Sequence, residues 1–312
     1  MGKHMSLRSS LSPRRPLTGA VLVSLIGIVA LFTVIGIAHA GPEDTPRTKK
    51  ATKATRATAS PDADRAAPPD GVTLPPADGA NFDYQINEPY TPPSGVEIVS
   101  RDREAPPAPG LYNICYVNAF QAQPDADGDW DADLLLRDTN GDVVVDEDWG
   151  EALLDIGTED KRERIADTVG GWIDGCAKAG YQAVEPDNYD SYSRSGDLLT
   201  EDDAMAFIKL LADRAHAAHL AIGQKNTLEL ASHREELGLD FAIAEECGQQ
   251  GPPECGDYTE AFSKVIMIEY KDPALETACA GWQQPGVAIV RRDLDVSAPD
   301  GDGYTRETCD SV

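Results

Sequence analysis

Short strand-like runs alternate with polar segments between residues 82 and 290, and this pattern predicts a sheet of eight strands. The runs are four to seven residues long and lie at 82–86, 96–99, 111–117, 181–185, 220–225, 240–245, 264–269 and 287–290. The third run is long and apolar enough to be buried on both faces, as strands of a parallel sheet are.

Helical patterns separate the later runs. Thr158 is expected to cap a helix to about residue 178, and Thr200 begins a second helix to about His219. Shorter helices are predicted at 227–236, 257–263 and 273–281. This order predicts an α/β fold, a (β/α)8 TIM-type barrel with an irregular, helix-poor N-terminal half. A doubly wound open sheet is the alternative, but no G-x-G-x-x-G motif follows the first strand.

The N-terminal segments differ in composition from the rest of the chain. Residues 1–16 are basic, residues 17–38 are almost wholly apolar, and Ala38-His39-Ala40 resembles a cleavage site, so 1–40 is interpreted as a signal peptide. The apolar run is long enough for an uncleaved membrane anchor. Residues 41–80 have few large apolar side chains and are predicted to be a disordered linker. The barrel domain is then 81–312, outside the cytoplasm.

Charge is distributed unevenly between these segments. Residues 1–80 carry 10 Lys/Arg and 6 Asp/Glu, so residues 81–312 carry the remaining 17 and 48 and a net charge of −31. Such a field repels nucleic acid and attracts cationic polymers. A strongly acidic surface also aids solubility, so charge alone does not identify the substrate.

Polar side chains recur near the ends of successive strands, which converge on one face of a barrel, where catalytic residues of this fold lie. Acids near a strand end favour a site, because buried unpaired carboxylates are costly. The candidates are Tyr84, Asp102, Asn118, Glu185, Asp187, Asn188, Asp190, Lys225, Asn226, Glu245, Glu269 and Tyr270.

Other chemistries fit the sequence less well. There is no G-x-S-x-G motif, and no histidine lies at a strand end to serve a Ser or Cys nucleophile. The acidic runs 125–133 and 138–142 resemble calcium loops, but Gly128 and Gly141 occupy position 4 instead of 6. We therefore expect no metal and no cofactor. A site built from carboxylates is typical of glycoside hydrolases.

Several motifs at these strand ends resemble glycoside hydrolase family 114, the endo-α-1,4-polygalactosaminidase-like proteins. The resemblance covers about residues 82–272, and the chain departs from the family pattern at Ala244, where asparagine is usual. The motifs are Ile114-Cys-Tyr116, Trp149-Gly-Glu151-x-x-Leu-Asp155, Glu185-Pro-Asp187-Asn188-x-Asp190, Lys225-Asn226, Glu245-x-Cys247 and Glu269-Tyr270.

The resemblance implies a (β/α)8 barrel that hydrolyses α-1,4-linked galactosamine-rich polysaccharide, a cationic substrate that suits the acidic domain. It implies Asp187 and Glu245 as the catalytic acids. We assign Asp187 as nucleophile, because Lys225 and Asn188 can stabilise its charge, and Glu245 as acid/base, because the apolar sixth strand and the disulfide loop after it could raise its pKa. The roles could be exchanged, and the sequence does not choose between retention and inversion of configuration. An inactive carbohydrate-binding barrel at the cell surface is the alternative function.

Strand alternation refines two of these expectations. On the sixth strand it allows either Glu245 or Glu246 to point inward, and only the motif match selects Glu245. On the fifth strand it places Lys225 on the same face as Gly223, adjacent to the fourth strand. Lys225 is therefore expected to lie beside Glu185 or Asp187 and to hold a carboxylate ionised.

The even number of cysteines and the absence of a C-x-x-C motif favour disulfides in an exported chain. Six cysteines allow 15 pairings. The expected pairs are Cys247–Cys255, which closes a short loop after Glu245, then Cys279–Cys309, with Cys115–Cys176 remaining.

Export is the first testable prediction. Mass spectrometry of the protein recovered outside the cell should find an N-terminus near Gly41, because the cleavage-like sequence ends at Ala40. A cell-bound product that retains residues 17–38 would instead show that this segment is a membrane anchor.

Overall fold

The structure is a computed structural model that describes residues 68–76, 81–124 and 126–311. The predicted signal peptide or anchor lies outside these residues. Residues 68–76, within the predicted linker, run beside the barrel, where Val72 and Leu74 pack against its inner core and the carbonyl of Thr73 accepts a hydrogen bond from Tyr112. The domain limits at residues 40 and 80 stay predictions.

The strands form one large sheet and one small sheet. The large sheet has the order β1-β2-β3-β7-β8-β9-β10-β11-β12, and the small one β4-β6-β5. The strands are β1 Asn81–Gln85, β2 Val96–Asp102, β3 Tyr112–Asn118, β4 Gln121–Ala122, β5 Val145–Asp146, β6 Glu151–Leu153, β7 Ala183–Asp187, β8 Ala221–Lys225, β9 Phe241–Glu245, β10 Val265–Glu269, β11 Val287–Arg292 and β12 Arg306–Thr308.

Helices cover the outside of the later strands, as predicted. Thr158 accepts a hydrogen bond from the backbone of Lys161, and Thr200 forms a reciprocal capping box with Asp203. The α-helices are α1 Glu159–Ala179, α2 Glu201–Ala217, α3 Arg234–Leu237, α4 Cys247–Gln250, α5 Pro252–Ala261 and α6 Asp272–Trp282. The 3₁₀ helices are Asp127–Asp129, Tyr189–Arg194, Leu228–His233 and Cys309–Ser311.

Eight parallel strands make the barrel, and each overlaps one of the eight predicted runs. Alternate residues point inward and fill the lower barrel with apolar side chains such as Ile114, Ile243 and Ile266. Gly223 is an inward position where a Cβ would come within 2.8 Å of the Phe241 ring. The missing side chain at Gly223 therefore makes room for Phe241 beneath the carboxyl ends of the strands.

The barrel is nearly closed, and side chains join the two edges. β12 pairs antiparallel with β11, which the sequence patterns did not predict. Arg306 of β12 donates to the carbonyl of Phe82 in β1 at 2.9 Å. Arg292 and Arg306 both contact the buried carboxylate of Asp83, at 3.4 and 3.2 Å. A buried acid with two arginine partners thus joins the first strand to the last two.

Segment 121–158, which holds none of the eight predicted runs, contains the small antiparallel sheet β4-β6-β5. Several of its acids have partners within the protein. Asp131 and Asp133 pair with Arg164 of α1, and Asp138 accepts backbone hydrogen bonds within its own turn. The sheet brings Glu151, the first residue of β6, to Asn118 at the end of β3.

The six cysteines pair as predicted. Cys115–Cys176 joins β3 to α1 across 61 residues, and both side chains are buried in the outer core. Cys247–Cys255 joins α4 to α5 across 8 residues, and α4 begins two residues after Glu245. Cys279–Cys309 ties α6 to the C-terminal segment. Among the described residues, no helix has both the length and the apolarity needed to cross a membrane.

The two disulfides whose cysteines are all buried are Cys115–Cys176 and Cys247–Cys255. We expect their removal to have different effects. Loop-closure entropy predicts that the paired Cys115→Ala, Cys176→Ala change lowers the free energy of unfolding by roughly 4 kcal/mol, because its loop is long. The Cys247→Ala, Cys255→Ala change should lower it less but reduce activity more, because that loop follows Glu245. Denaturant unfolding and hydrolysis measured on both pairs test this. An equal loss of stability in both would contradict it.

Candidate active site

One buried ammonium group connects the acids at the carboxyl ends of the barrel strands. Lys225 Nζ lies 3.2 Å from Glu185 Oε1, 3.3 Å from Asp187 Oδ2 and 3.2 Å from Glu245 Oε2. The Lys225 side chain is 2% exposed and Glu185 is 0% exposed, whereas Asp187 is 18% and Glu245 22% exposed. Lys225 therefore lies beneath two acids that solvent reaches, as strand alternation predicted for its position.

The surrounding charges keep this ammonium protonated. Burial lowers the pKa of Lys225, but Asp187 and Glu245 raise it, and with Tyr84 and Glu185 they place it well above its usual value. Burial also raises the pKa of Glu185, while Lys225 and the Ser100 hydroxyl lower it. The cluster therefore has one cation for three carboxyl groups, and the most deeply buried acid is the one whose charged form is disfavoured.

Asp187 is held by donors from two neighbouring residues. Its Oδ1 accepts a hydrogen bond of 2.7 Å from the backbone nitrogen of Asn188, which adopts a left-handed conformation with φ of 72°. Burial and the neighbouring charge of Asp187 raise the pKa of the Tyr116 hydroxyl, and Lys225 donates to Asp187 Oδ2 at 3.3 Å. Tyr116 of β3 pairs with Glu185 of β7, and this register puts the tyrosine on the inner face of the barrel beside Glu185.

Glu245 is held equally firmly at the end of β9. The side chain of Asn226 donates to Glu245 Oε2 at 2.9 Å, and its carbonyl oxygen accepts from the Glu245 backbone nitrogen at 2.8 Å. The Tyr270 hydroxyl donates to Oε1. Asn226 therefore provides an amide beside the acid although position 244 is alanine in this chain.

The structure decides between the two acids at the end of β9. Phe241 and Ile243 are inward, so Glu245 continues the inner face. Glu246 has a left-handed backbone with φ of 58°, precedes α4 as its N-cap residue and accepts a hydrogen bond from Gln249 of that helix. Glu246 is thus outside the cluster around Lys225.

Some predicted substrate-binding residues take other positions. Tyr84 donates to Glu185 Oε1 at 2.9 Å, and both residues are fully buried, so they support Lys225 and do not contact a substrate. Asp102 accepts from the backbone of Glu104 in a turn. Glu269 faces outward and accepts from the backbone of Gly248, so its predicted place in the site is wrong. Burial raises the pKa of Glu269 to about 7.

The predicted polar residues beside Asp187 are connected to one another. Asn188 Nδ2 donates to Asn118 Oδ1 at 3.1 Å, and Asn118 Nδ2 donates to Glu151 Oε2 at 2.8 Å. Arg194 pairs with Asp190 at 2.6 Å and donates to Asn188 Oδ1 at 3.1 Å. Asp190 therefore already has a cation, while Asn118 and Asn188 form a bridge between Asp187 and the small sheet.

The strand-end reasoning missed three residues of this neighbourhood: Tyr116, Ser100 and Glu151. Tyr116 and Ser100 lie on inward positions of β3 and β2, so alternation alone could have found them. Glu151 belongs to a small strand beyond the barrel, and only its motif marked it. Two partly exposed carboxylates over one ammonium, surrounded by hydrogen-bond donors, can perform nucleophilic and acid/base chemistry at a glycosidic bond.

Comparison with known protein families shows the family of this chain. The model of glycoside-hydrolase family GH114 matches residues 61–312. The chain belongs to glycoside-hydrolase family GH114. The family membership agrees with the barrel and with the acids at its mouth, and makes this GH114 chain a glycoside hydrolase. A search of curated proteins found no match.

Two solved structures similar to this GH114 chain come from a fungus and a bacterium. Ega3 of Aspergillus fumigatus, solved in complex with galactosamine, is 24% identical with a TM-score of 0.60, over 76% of this chain and 98% of Ega3. The glycoside hydrolase domain of PelA from Pseudomonas aeruginosa is 14% identical with a TM-score of 0.49, over 72% of this chain and 97% of that domain. The likeness to Ega3 shows the shared barrel fold.

Removal of the Tyr116 hydroxyl tests how the site holds Asp187. Tyr116→Phe should lower kcat by about 10- to 100-fold, because the Asp187 carboxylate then loses a neighbouring polar hydroxyl, and should leave the fold intact. Tyr112→Phe is the matched control, because Tyr112 lies on the same face of β3 but donates to the Thr73 carbonyl. Equal kcat values for the two variants would show that Tyr116 does not act on Asp187.

Proposed function

We propose that this GH114 chain is an extracellular enzyme that cleaves α-1,4-linked galactosamine-rich polysaccharide with Asp187 and Glu245. The observation that carries the proposal is the pairing of these two partly exposed carboxylates around the ammonium of Lys225. Both acids lie at the carboxyl ends of barrel strands, where this fold places its active sites.

The substrate class rests on charge and on similarity. A polymer of galactosamine is cationic when its amines are protonated, and the barrel region 81–312 has a net charge of −31. Such a domain raises the local concentration of a cationic polymer by long-range attraction. The similar structure of Ega3 was solved with galactosamine bound, which supports the same sugar here.

The separation of the two acids favours retention of configuration. Asp187 Oδ2 and Glu245 Oε2 lie 3.3 and 3.2 Å from the same nitrogen. These two oxygens can therefore be no more than about 6.5 Å apart, which is the lower limit for inverting enzymes and leaves the retaining range of about 5–5.5 Å accessible.

In the proposed first step, an oxygen of Asp187 attacks the anomeric carbon, and the bond from that carbon to the leaving oxygen breaks. Glu245 gives its proton to the leaving oxygen. In the second step water attacks the anomeric carbon, gives a proton back to Glu245 and releases Asp187. Lys225 and the backbone of Asn188 stabilise the Asp187 anion before the attack and after release.

The contacts of Glu245 indicate which of its oxygens carries the proton. Oε2 accepts from the side-chain NH2 group of Asn226 and lies 3.2 Å from the ammonium of Lys225. Both of these groups can only donate. Oε1 meets the Tyr270 hydroxyl, which donates to the ionised carboxylate and can turn to accept from the protonated one. We therefore assign the transferred proton to Oε1.

Substitution of each acid tests the proposal on a deacetylated galactosamine polymer, with release of reducing ends as the measurement. Asp187→Asn and Glu245→Gln should each keep the fold and lower hydrolysis by at least about 1,000-fold. Glu246→Gln is the matched control, because it removes the neighbouring charge outside the site. Parental rates in either site variant would refute the assignment of that acid, and no cleavage by the parental enzyme would refute the substrate class.

The roles of the two acids can be separated with a substrate whose leaving group departs without a proton. Glu245→Gln should retain formation of the glycosyl–enzyme intermediate on such a substrate, because only acid catalysis is lost. Asp187→Asn should not. The reverse result would exchange the two roles.

A further inference from the structure

Glu151 lies beside the catalytic centre but outside the cluster around Lys225. It is the first residue of β6, and its Oε2 accepts a hydrogen bond of 2.8 Å from Asn118 at the end of β3. Asn118 in turn contacts Asn188, whose backbone nitrogen donates to Asp187. Two neutral amides thus fix the position of Glu151 relative to the proposed nucleophile.

Glu151 differs from the neighbouring acids in its partner. Glu185, Asp187 and Glu245 share the ammonium of Lys225. Asp146 and Asp190 share the guanidinium of Arg194, at 2.8 and 2.6 Å. The hydrogen-bond partner of the Glu151 carboxylate, within the part of the chain that the structure describes, is the neutral amide of Asn118. A cation supplied from outside would complete this arrangement.

The environment makes the charge of Glu151 sensitive to such a cation. Burial raises the pKa of Glu151 to about 7, the Asn118 amide lowers it, and the nearby acids Asp187 and Asp146 raise it further, while Arg194 opposes them. A protonated amine beside Glu151 would favour its ionised form, because opposite charges stabilise each other in a partly buried site.

A sugar could reach this position from solvent. Glu151 is partly exposed, and Trp149, two residues earlier in the turn between β5 and β6, is 60% exposed. An exposed indole presents a large apolar face to a ring that approaches the same turn. The turn therefore carries an exposed indole two residues before Glu151, and Glu151 is linked to Asp187 through Asn118 and Asn188.

We propose that Glu151 binds the protonated amino group of a galactosamine residue in the cleft and makes the enzyme prefer the free amine over its N-acetylated form. This inference rests on the proposed function and names the side chain that recognises the amino group of the substrate. An N-acetyl group carries no charge and gives Glu151 no counterion, so an acetylated sugar gains nothing from this carboxylate.

Glu151→Gln tests the proposal, because glutamine keeps an oxygen that can accept from Asn118 but removes the charge. Binding of galactosamine and of N-acetylgalactosamine to the intact chain can be measured by NMR titration. We expect the variant to bind galactosamine about tenfold or more weakly, the effect of losing one charged contact, with N-acetylgalactosamine binding unchanged. Glu147→Gln on the exposed turn of the same hairpin is the matched control.

The pH dependence separates recognition of the amine from a structural role. The ratio of parental to variant affinity for galactosamine should fall as the pH drops below 7, because Glu151 then becomes protonated. Taking the ratio at each pH removes the titration of the sugar itself. Equal weakening for both sugars would show that Glu151 only supports the fold, and a constant ratio across pH would overturn its role as the ionised partner.

These outcomes are independent of hydrolysis. A parental chain that prefers galactosamine over its N-acetylated form, and loses that preference in Glu151→Gln, supports the role of Glu151 even if the polymer is not cleaved. A parental chain that cleaves the polymer but binds both sugars equally refutes it while the proposed function stands.

Discussion

The site depends on the positive charge of Lys225, which is buried away from water. An ammonium on a 2% exposed side chain is costly unless it is paired and hydrogen-bonded, and Lys225 meets that condition with three carboxyl groups and the Tyr84 hydroxyl. The same contacts hold Asp187 and Glu245 at fixed positions. The barrel provides the space, since Gly223 on the strand of Lys225 leaves room for Phe241 below. Packing of the lower barrel and catalysis at its mouth are therefore linked through one strand.

Much of the fold was predictable because its strands are buried on both faces and so form apolar runs. The closure of the barrel was not, because it depends on Asp83, Arg292 and Arg306, which are far apart in the chain. The small sheet was missed for another reason. Two of its strands have two residues each, and such short strands leave no periodic pattern.

The residues of the candidate site could be predicted in outline, but the depth of each side chain within the barrel could not. Sequence patterns place polar residues at strand ends, but they do not show how far below the mouth each side chain lies. Tyr84 and Glu185 are on the correct face and are too deep to meet a substrate. Glu269 and Tyr270 show a second limit, which concerns the face of the sheet. Consecutive residues of an extended chain face opposite sides, so Glu269 faces outward and only Tyr270 reaches Glu245.

The central claim is that Asp187 and Glu245, held around one ammonium, are close enough for a double displacement. The most direct measurement is proton NMR of the anomeric configuration of the first product released from an α-linked galactosamine oligomer. The close pairing predicts that the new reducing end appears first as the α-anomer and only later mutarotates. Initial appearance of the β-anomer would show inversion through a water, and would contradict this account of the site.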